Sequence, residues 1–290
     1  MARRVIPSLA ICFLFAVPTV RAEDKFFDSN GVKIRYIIEG KGEPVLLIHG
    51  YTANIEKQWG LPGVINALAK YYQVIALDNR GHGKSGKPHD VKKYGMEMVE
   101  DAVRLLDHLK IGKAHVVGYS MGAMLTNKLI VTHPDRVLSA TLGGAAGVRA
   151  GSSKRVEFFD LLADSLEQGK GFRPLIIALT PPGRPEPTDE QIKAVDKFIA
   201  AENDTKALAA VVRSFKDLAI SDEKLKANRI PTLAIIGAND PLKKGVDELQ
   251  GHMGALEKTA VIEGADHITA FAHADFVKYL LEFLEKRKGK

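Results

Sequence analysis

Gly118-Tyr119-Ser120-Met121-Gly122 stands directly after the apolar, β-branched run His115-Val116-Val117. A serine on a sharp turn from strand into helix must take a strained backbone, which lifts its hydroxyl above the sheet edge. Neighbours two residues to either side then come so close that glycine is nearly obligatory, and Gly118 and Gly122 supply it. A helix beginning after Ser120 also points its free N–H groups at developing negative charge. The chemistry these features suggest is nucleophilic attack by Ser120 on a carbonyl.

A serine hydroxyl needs a base, and the base needs an acid to orient it. On a strand–turn–helix site of this kind the partners follow in the order serine, acid, histidine. Of the nine histidines, His252, His267 and His273 follow the candidate acid. His267, in Glu263-Gly264-Ala265-Asp266-His267, comes just after an apolar strand pattern, where a loop can carry it over the sheet edge. His252 falls in helix-like sequence and His273 farther into the terminal helix, so His267 is the expected base. The acid should close the preceding strand, and Leu233-Ala234-Ile235-Ile236-Gly237-Ala238-Asn239-Asp240-Pro241 runs into a turn at Asp240. Residues 138–151 offer no carboxylate. Asp266 is the alternative, but a sequence neighbour rarely faces the same ring nitrogen. The expected oxyanion donors are the N–H groups of Met121 and of Tyr51, in the loop His49-Gly50-Tyr51-Thr52. His49 precedes the serine and reads as structural.

Such groups need a sheet whose strand ends converge. From Gly31 onward, short buried runs at 32–38, 44–48, 74–77, 115–117, 137–142, 232–236 and 259–262 alternate with helix-period segments such as 97–109 and 270–284. That is the pattern of a mainly parallel sheet covered by helices. Residues 148–227 break it with helix-like sequence, no convincing buried strand and the connector Thr180-Pro181-Pro182-Gly183-Arg184-Pro185-Glu186-Pro187. This stretch reads as a helical insertion serving as a lid. Phe158, Phe159, Leu161 and Leu162 provide an apolar face for it, while Trp59 and Tyr51 are candidates to line an acyl pocket.

Composition narrows the alternatives. A single cysteine in 290 residues excludes a disulfide framework, a cysteine-rich zinc site and an iron–sulfur cluster. No histidine or carboxylate pair has metal-ligand spacing, so no metal is expected. The net charge of +6 is modest, and no basic run interleaves with aromatics, so nucleic acid is not an expected partner. Gly81-His82-Gly83-Lys84-Ser85-Gly86 imitates phosphate-binding motifs. Lys87-Pro88 blocks the helix that a dinucleotide site requires, and Asp78 occupies the first glycine position of a P-loop frame. It reads as a tight loop under the site.

Met1-Ala2-Arg3-Arg4, the apolar stretch 5–20 and Val20-Arg21-Ala22 have the charge–apolar–small order of a secretory leader, residues 1–22. Pro7 and Pro18 interrupt the run, which argues against a stable membrane span. Cleavage after Ala22 would leave 268 residues, no cysteine and a charge of +3. The expected location is therefore periplasmic or secreted. The tail Lys286-Arg287-Lys288-Gly289-Lys290 reads as solvated, and oligomeric state is not legible.

With these residues assembled, the chain from about 26 to 286 resembles the α/β-hydrolase superfamily, in its lidded single-domain branch. The matching marks are His49-Gly50, Asp78-Asn79-Arg80-Gly81-His82-Gly83-Lys84-Ser85, Gly118-Tyr119-Ser120-Met121-Gly122, Gly237-Ala238-Asn239-Asp240 and Asp266-His267. The resemblance implies an α/β fold with a mostly parallel eight-stranded sheet and a helical cap between strands six and seven. On that frame, 23–147 and 228–290 form the core and 148–227 the cap. It also implies no cofactor, and serine at position 120 disfavours the branches that use an aspartate nucleophile. Ala123 and Asp266 stand where relatives often carry glycine. The expected activity is hydrolysis of a small or medium carboxylic ester through an acyl-enzyme. Amide, lactone or carbon–carbon cleavage, acyl transfer and perhydrolysis share its steps, and a non-catalytic ligand receptor is the alternative from another class.

Overall fold

The seven short apolar runs and one further strand assemble into one sheet in a computed structural model, which describes residues 22–289. All of the expected leader except Ala22 lies outside the described residues. The strands are β1 (Lys25–Ser29), β2 (Val32–Glu39), β3 (Pro44–Ile48), β4 (Gln73–Leu77), β5 (Ala114–Tyr119), β6 (Val137–Gly143), β9 (Thr232–Gly237) and β10 (Leu256–Ile262), with β7 (Val148–Arg149) and β8 (Ala219–Ile220) set apart. Their order is β1-β2-β4-β3-β5-β6-β9-β10. β1 and β2 run antiparallel to their neighbours, and the other six strands are parallel. The strand missed in the sequence, β1, is an edge strand whose polar Lys25 and Asp28 mask its pattern.

Helices cover both faces, so the central strands are buried throughout and read as continuous apolar runs. Strand alternation sorts the core. Leu46 and Ile48 of β3 face α2 (Met96–His108) and α3 (Met121–Thr132), whereas Val45 and Leu47 face α1 (Val64–Leu68) and α10 (Ala274–Glu285). Trp59 is fully buried in this second layer with its ring centroid 6.3 Å from that of Phe276. It belongs to the core and lines no substrate pocket.

Residues between β6 and β9 form α4 (Ser153–Glu167), α5 (Arg173–Ala178), α6 (Asp189–Glu202), α7 (Thr205–Arg213) and α8 (Asp222–Ala227), with α9 (Lys243–Asp247) following β9. At the neck of this insertion β7 and β8 pair in parallel, Val148 opposite Ala219 and Arg149 opposite Ile220. The ladder brings entry and exit chains together, and two-residue strands carry no periodicity that a sequence could reveal. α4 and α7 are clamped by Arg213, which donates to Asp160, Asp164 and Glu167 at 3.1, 2.7 and 2.8 Å. Within the C-terminal tail Lys286, Lys288 and Gly289 are exposed, while Arg287 packs 3.6 Å from the centroid of the Phe283 ring and pairs with Glu257.

Two local constraints position the site. β5 turns into α3 at Ser120, with φ 53° and ψ −113°, outside the regions where side chains rest easily. A Cβ on Gly122 would collide with the Ile48 carbonyl and lie 2.9 Å from the His49 carbonyl oxygen; one on Gly118 would collide with the Gly122 carbonyl. Below the turn, the fully buried Arg80 guanidinium binds Asp101 of α2 in a fork, at 2.7 and 2.6 Å, anchoring the loop 78–86.

Gly122→Ala is expected to cost about 3 kcal/mol or more of unfolding free energy. Gly112→Ala, where the new methyl meets nothing within 4 Å, should change it by less than about 0.5 kcal/mol. Asp101→Asn leaves the buried Arg80 only the more distant Glu97 carboxylate, 3.7 Å away, and should cost about 3 kcal/mol. Urea unfolding of the three variants beside the parent protein checks all three values.

Candidate active site

Three side chains from three separate strand ends meet above the sheet. Ser120 comes from the β5–α3 turn, Asp240 from the turn after β9 and His267 from the loop after β10. His267 Nδ1 lies 2.8 Å from Asp240 Oδ2, and His267 Nε2 lies 3.0 Å from Ser120 Oγ. The carboxylate can only accept from Nδ1, so Nε2 is left as acceptor for the serine hydroxyl. Asp240 is held in turn, because its Oδ1 accepts from the Leu242 N–H at 2.8 Å. Asp240 and His267 are both buried. The His267 carbonyl accepts from the Tyr119 hydroxyl at 2.6 Å, which ties the histidine loop to the strand that carries the serine.

The other carboxylate in this loop has a different task. Asp266 Oδ1 accepts from the N–H groups of Ile268 and Thr269 at 3.1 and 3.0 Å and from the Thr269 hydroxyl at 2.8 Å. Burial works against its charge, but the Thr269 hydroxyl and these N–H groups hold the carboxyl below its usual range. It shapes the turn that presents His267. His273 accepts from the Asp275 N–H and caps α10.

The loop leaving β3 carries Tyr51 to the same place. Its frame is buried and polar. His49 Nδ1–H donates to the Gly50 carbonyl at 2.8 Å while Nε2 accepts from the Asn79 N–H at 2.9 Å, which fixes a neutral tautomer; burial pushes its pKa down accordingly. His82 stacks edge-on against His49 and Tyr51, and burial pushes it down to about 3, so it is neutral as well. Asp78 accepts from the Ile55 N–H at 2.9 Å, the Lys84 N–H at 2.8 Å and the Arg35 guanidinium at 3.0 Å. Gln58 Oε1 accepts from the Gly50 N–H at 3.2 Å. The Gly81–Gly86 motif is thus a tight loop closed by its own Gly81-to-Gly86 backbone bond of 2.8 Å. Among the described residues the Tyr51 N–H has no acceptor, and Met121 opens α3, where a helix leaves its first N–H groups free. Both residues line the same chamber as Ser120.

Ser120 stands between two chambers under the cap. The inner one, about 110 Å³, is walled by Met121, Met124, Phe158, Phe159, Leu162 and the cap residue Arg155. The outer one, about 330 Å³, is bounded by His267, Phe271, Ile268 and Phe198. Tyr51, Leu175 and Leu179 border both. The Tyr51 hydroxyl donates to the Leu208 carbonyl of α7 at 2.8 Å, so this residue joins the core loop to the cap. Of the four apolar residues singled out on α4, Phe158, Phe159 and Leu162 face the chamber, while Leu161 is 58% exposed. Arg155, Leu175, Leu179, Phe198 and Phe271 were not legible as site residues, because only the packing of the cap brings them to Ser120. A larger hollow of about 530 Å³ beside Ala22 and Arg35 holds none of these groups. Among the described residues no cluster of three or more His, Cys, Asp or Glu side chains could hold a metal ion, and no helix is long and apolar enough to cross a membrane.

Comparison with known proteins agrees with this fold. A 2-hydroxy-6-oxo-6-(2'-aminophenyl)hexa-2,4-dienoic acid hydrolase of Metapseudomonas resinovorans is 30% identical over 279 residues, covering 91% of each chain. Among solved structures, the enol-lactonase of Burkholderia xenovorans LB400 superposes with a TM-score of 0.70 at 24% identity, over 90% of this chain and all of that one. A structure reported with carboxylesterases of the ammonia-oxidizing thaumarchaeon Nitrososphaera gargenis gives 0.72 at 21% identity over 91% and 98% of the two chains. Likeness at these identities establishes the fold. The family profile of the alpha/beta hydrolase fold matches residues 43–274, and the chain belongs to that family.

Proposed function

We propose that the protein is a serine hydrolase that cleaves carboxylic esters of small acyl groups through an acyl-enzyme. The observation that carries this reading is the unbroken line from Asp240 through His267 to Ser120, at 2.8 and 3.0 Å, with the serine opening into two apolar chambers.

In this reading Ser120 Oγ attacks the ester carbonyl while His267 Nε2 takes its proton. Asp240 holds the ring in the required tautomer and stabilises the imidazolium that forms. The N–H groups of Tyr51 and Met121 receive the oxyanion, a pair of donors of which each is worth roughly 100- to 1000-fold in rate. His267 then passes the proton to the departing alkoxide, and the ester bond to the alcohol oxygen breaks. A water molecule, deprotonated by His267, releases the acid and restores Ser120. Because His267 borders the outer chamber alone, the leaving group belongs there and the acyl chain belongs in the inner one. An engineered cavity of about 150 Å³ accommodates benzene, so the smaller inner chamber suits a chain of about four non-hydrogen atoms.

The relative from Metapseudomonas resinovorans, named as a dienoic acid hydrolase, supports a second reading in which the same serine acts on a different acyl bond. The leader-like residues 1–22 further support export, with the mature chain beginning at residue 23.

Initial rates of the 23–290 protein on p-nitrophenyl acetate, butyrate, hexanoate and decanoate test the ester reading. The expected optimum is at butyrate or hexanoate. Ser120→Ala and His267→Ala should each lower turnover about 10⁴-fold or more while circular dichroism stays unchanged. A fluorophosphonate should label Ser120. A folded variant at either position that keeps full activity would refute the assignment. Absence of ester turnover despite serine labelling would favour the second reading.

A further inference from the structure

Arg155 is out of keeping with its surroundings. It lies in the first turn of α4 and contributes to the wall of an otherwise apolar inner chamber, among Met124, Phe158, Phe159 and Leu162. Three other arginines of the cap and its neck, Arg149, Arg173 and Arg213, are paired with carboxylates. Arg213 has three carboxylates, and Arg149 binds Asp222 through a fork at 2.8 and 2.6 Å. Among the described residues, Arg155 has no carboxylate within 4 Å. Its guanidinium makes one hydrogen bond, from Nη1 to the Gly147 carbonyl. Nη2 stands 3.5 Å from where a side chain on Gly245 of α9 would begin. Glu248, the carboxylate that acts on it through space, is itself engaged by Arg149 at 3.9 Å. Burial pushes the guanidinium down from its ordinary value, as expected for a cation withdrawn from water without a counter-ion.

A guanidinium has five N–H donors and keeps its charge in proteins, so a half-buried one with a single carbonyl partner retains donors for an oxyanion. We propose that Arg155 is a specificity-determining residue that binds a carboxylate at the far end of the acyl chain, making the substrate a half-ester of a short dicarboxylic acid. The assignment rests on the reading of Ser120 as nucleophile and of the inner chamber as the acyl site. The chamber volume of about 110 Å³ admits only a short acyl chain, which limits the second carboxylate to a group of about the size of succinyl or glutaryl. The apolar walls accept the methylene groups, and the fork geometry of the guanidinium matches a carboxylate in two parallel hydrogen bonds.

The test compares monoethyl succinate and monoethyl glutarate with ethyl 4-methylpentanoate and ethyl 5-methylhexanoate, in which an isopropyl end replaces the carboxylate at equal length. Proton release in a pH-stat gives kcat/KM for each. The half-ester should be preferred by about 10- to 100-fold in the parent protein. That ratio should fall to near one in Arg155→Met, chiefly through KM, and be partly restored in Arg155→Lys. A second measurement does not depend on turnover: calorimetric binding of monoethyl glutarate to Ser120→Ala and to Ser120→Ala/Arg155→Met, expected to differ by about tenfold or more. A parent protein that favours the neutral esters, or a ratio that Arg155→Met leaves unchanged, overturns the proposal, as does equal binding by the two calorimetry variants. Arg155-dependent binding without hydrolysis of any ester would leave the anion site standing and remove the esterase reading instead.

Discussion

The backbone contact between α3 and β3 at Gly122 is the constraint on which the rest of the site depends. The first turn of α3 presses against the Ile48 and His49 carbonyls so closely that no side chain fits at Gly122, while Gly118 is pressed by the returning Gly122 carbonyl. This proximity forces Ser120 into its strained conformation. It also brings the start of α3 against the strand from which the Tyr51 loop departs. One steric fact therefore sets both the position of Ser120 and the neighbourhood of the two expected oxyanion donors. Strain of this kind persists only when the surrounding structure over-determines it, and here β5 is buried on every residue and flanked by strands on both sides.

A second layer of buried polar groups holds the loops that the sheet alone would leave mobile. Asp78 takes hydrogen bonds from Ile55, Lys84 and Arg35, and His49 spans Gly50 and Asn79. Arg80 carries the same loop onto α2 through Asp101. These groups are expensive to bury and tolerable because each finds its partners. His49 and His267 differ as a structural imidazole differs from a candidate base. In His49 both ring nitrogens are committed to backbone groups, whereas in His267 one is committed to a carboxylate and the other to a hydroxyl.

The cap converts this machinery into a selective one. It is attached by the β7–β8 ladder and by Tyr51, so the residue expected to supply one oxyanion donor also anchors the roof. Splitting the space under the roof at Ser120 separates what His267 can reach from what it cannot. In the proposed ester reading, this division gives the leaving group one chamber and the acyl chain the other. Charge at the end of the inner chamber then becomes a question of chemistry rather than of size.

Much of this was legible in the sequence because it rests on short-range rules. Strand and helix periods, the two glycines around Ser120 and the order serine, acid, histidine depend on local sterics and chain direction, which neighbouring residues declare. They place Ser120, Asp240 and His267 at strand ends. Only the tertiary structure decided the rest. Asp266 lies beside His267 in the chain yet turns to Thr269, Trp59 is sealed in the core rather than in a pocket, and Arg155 lies against the inner chamber without an ion partner. Each of these outcomes depends on which distant surfaces pack together, and a pairing between surfaces far apart in the chain leaves no period or motif at either one.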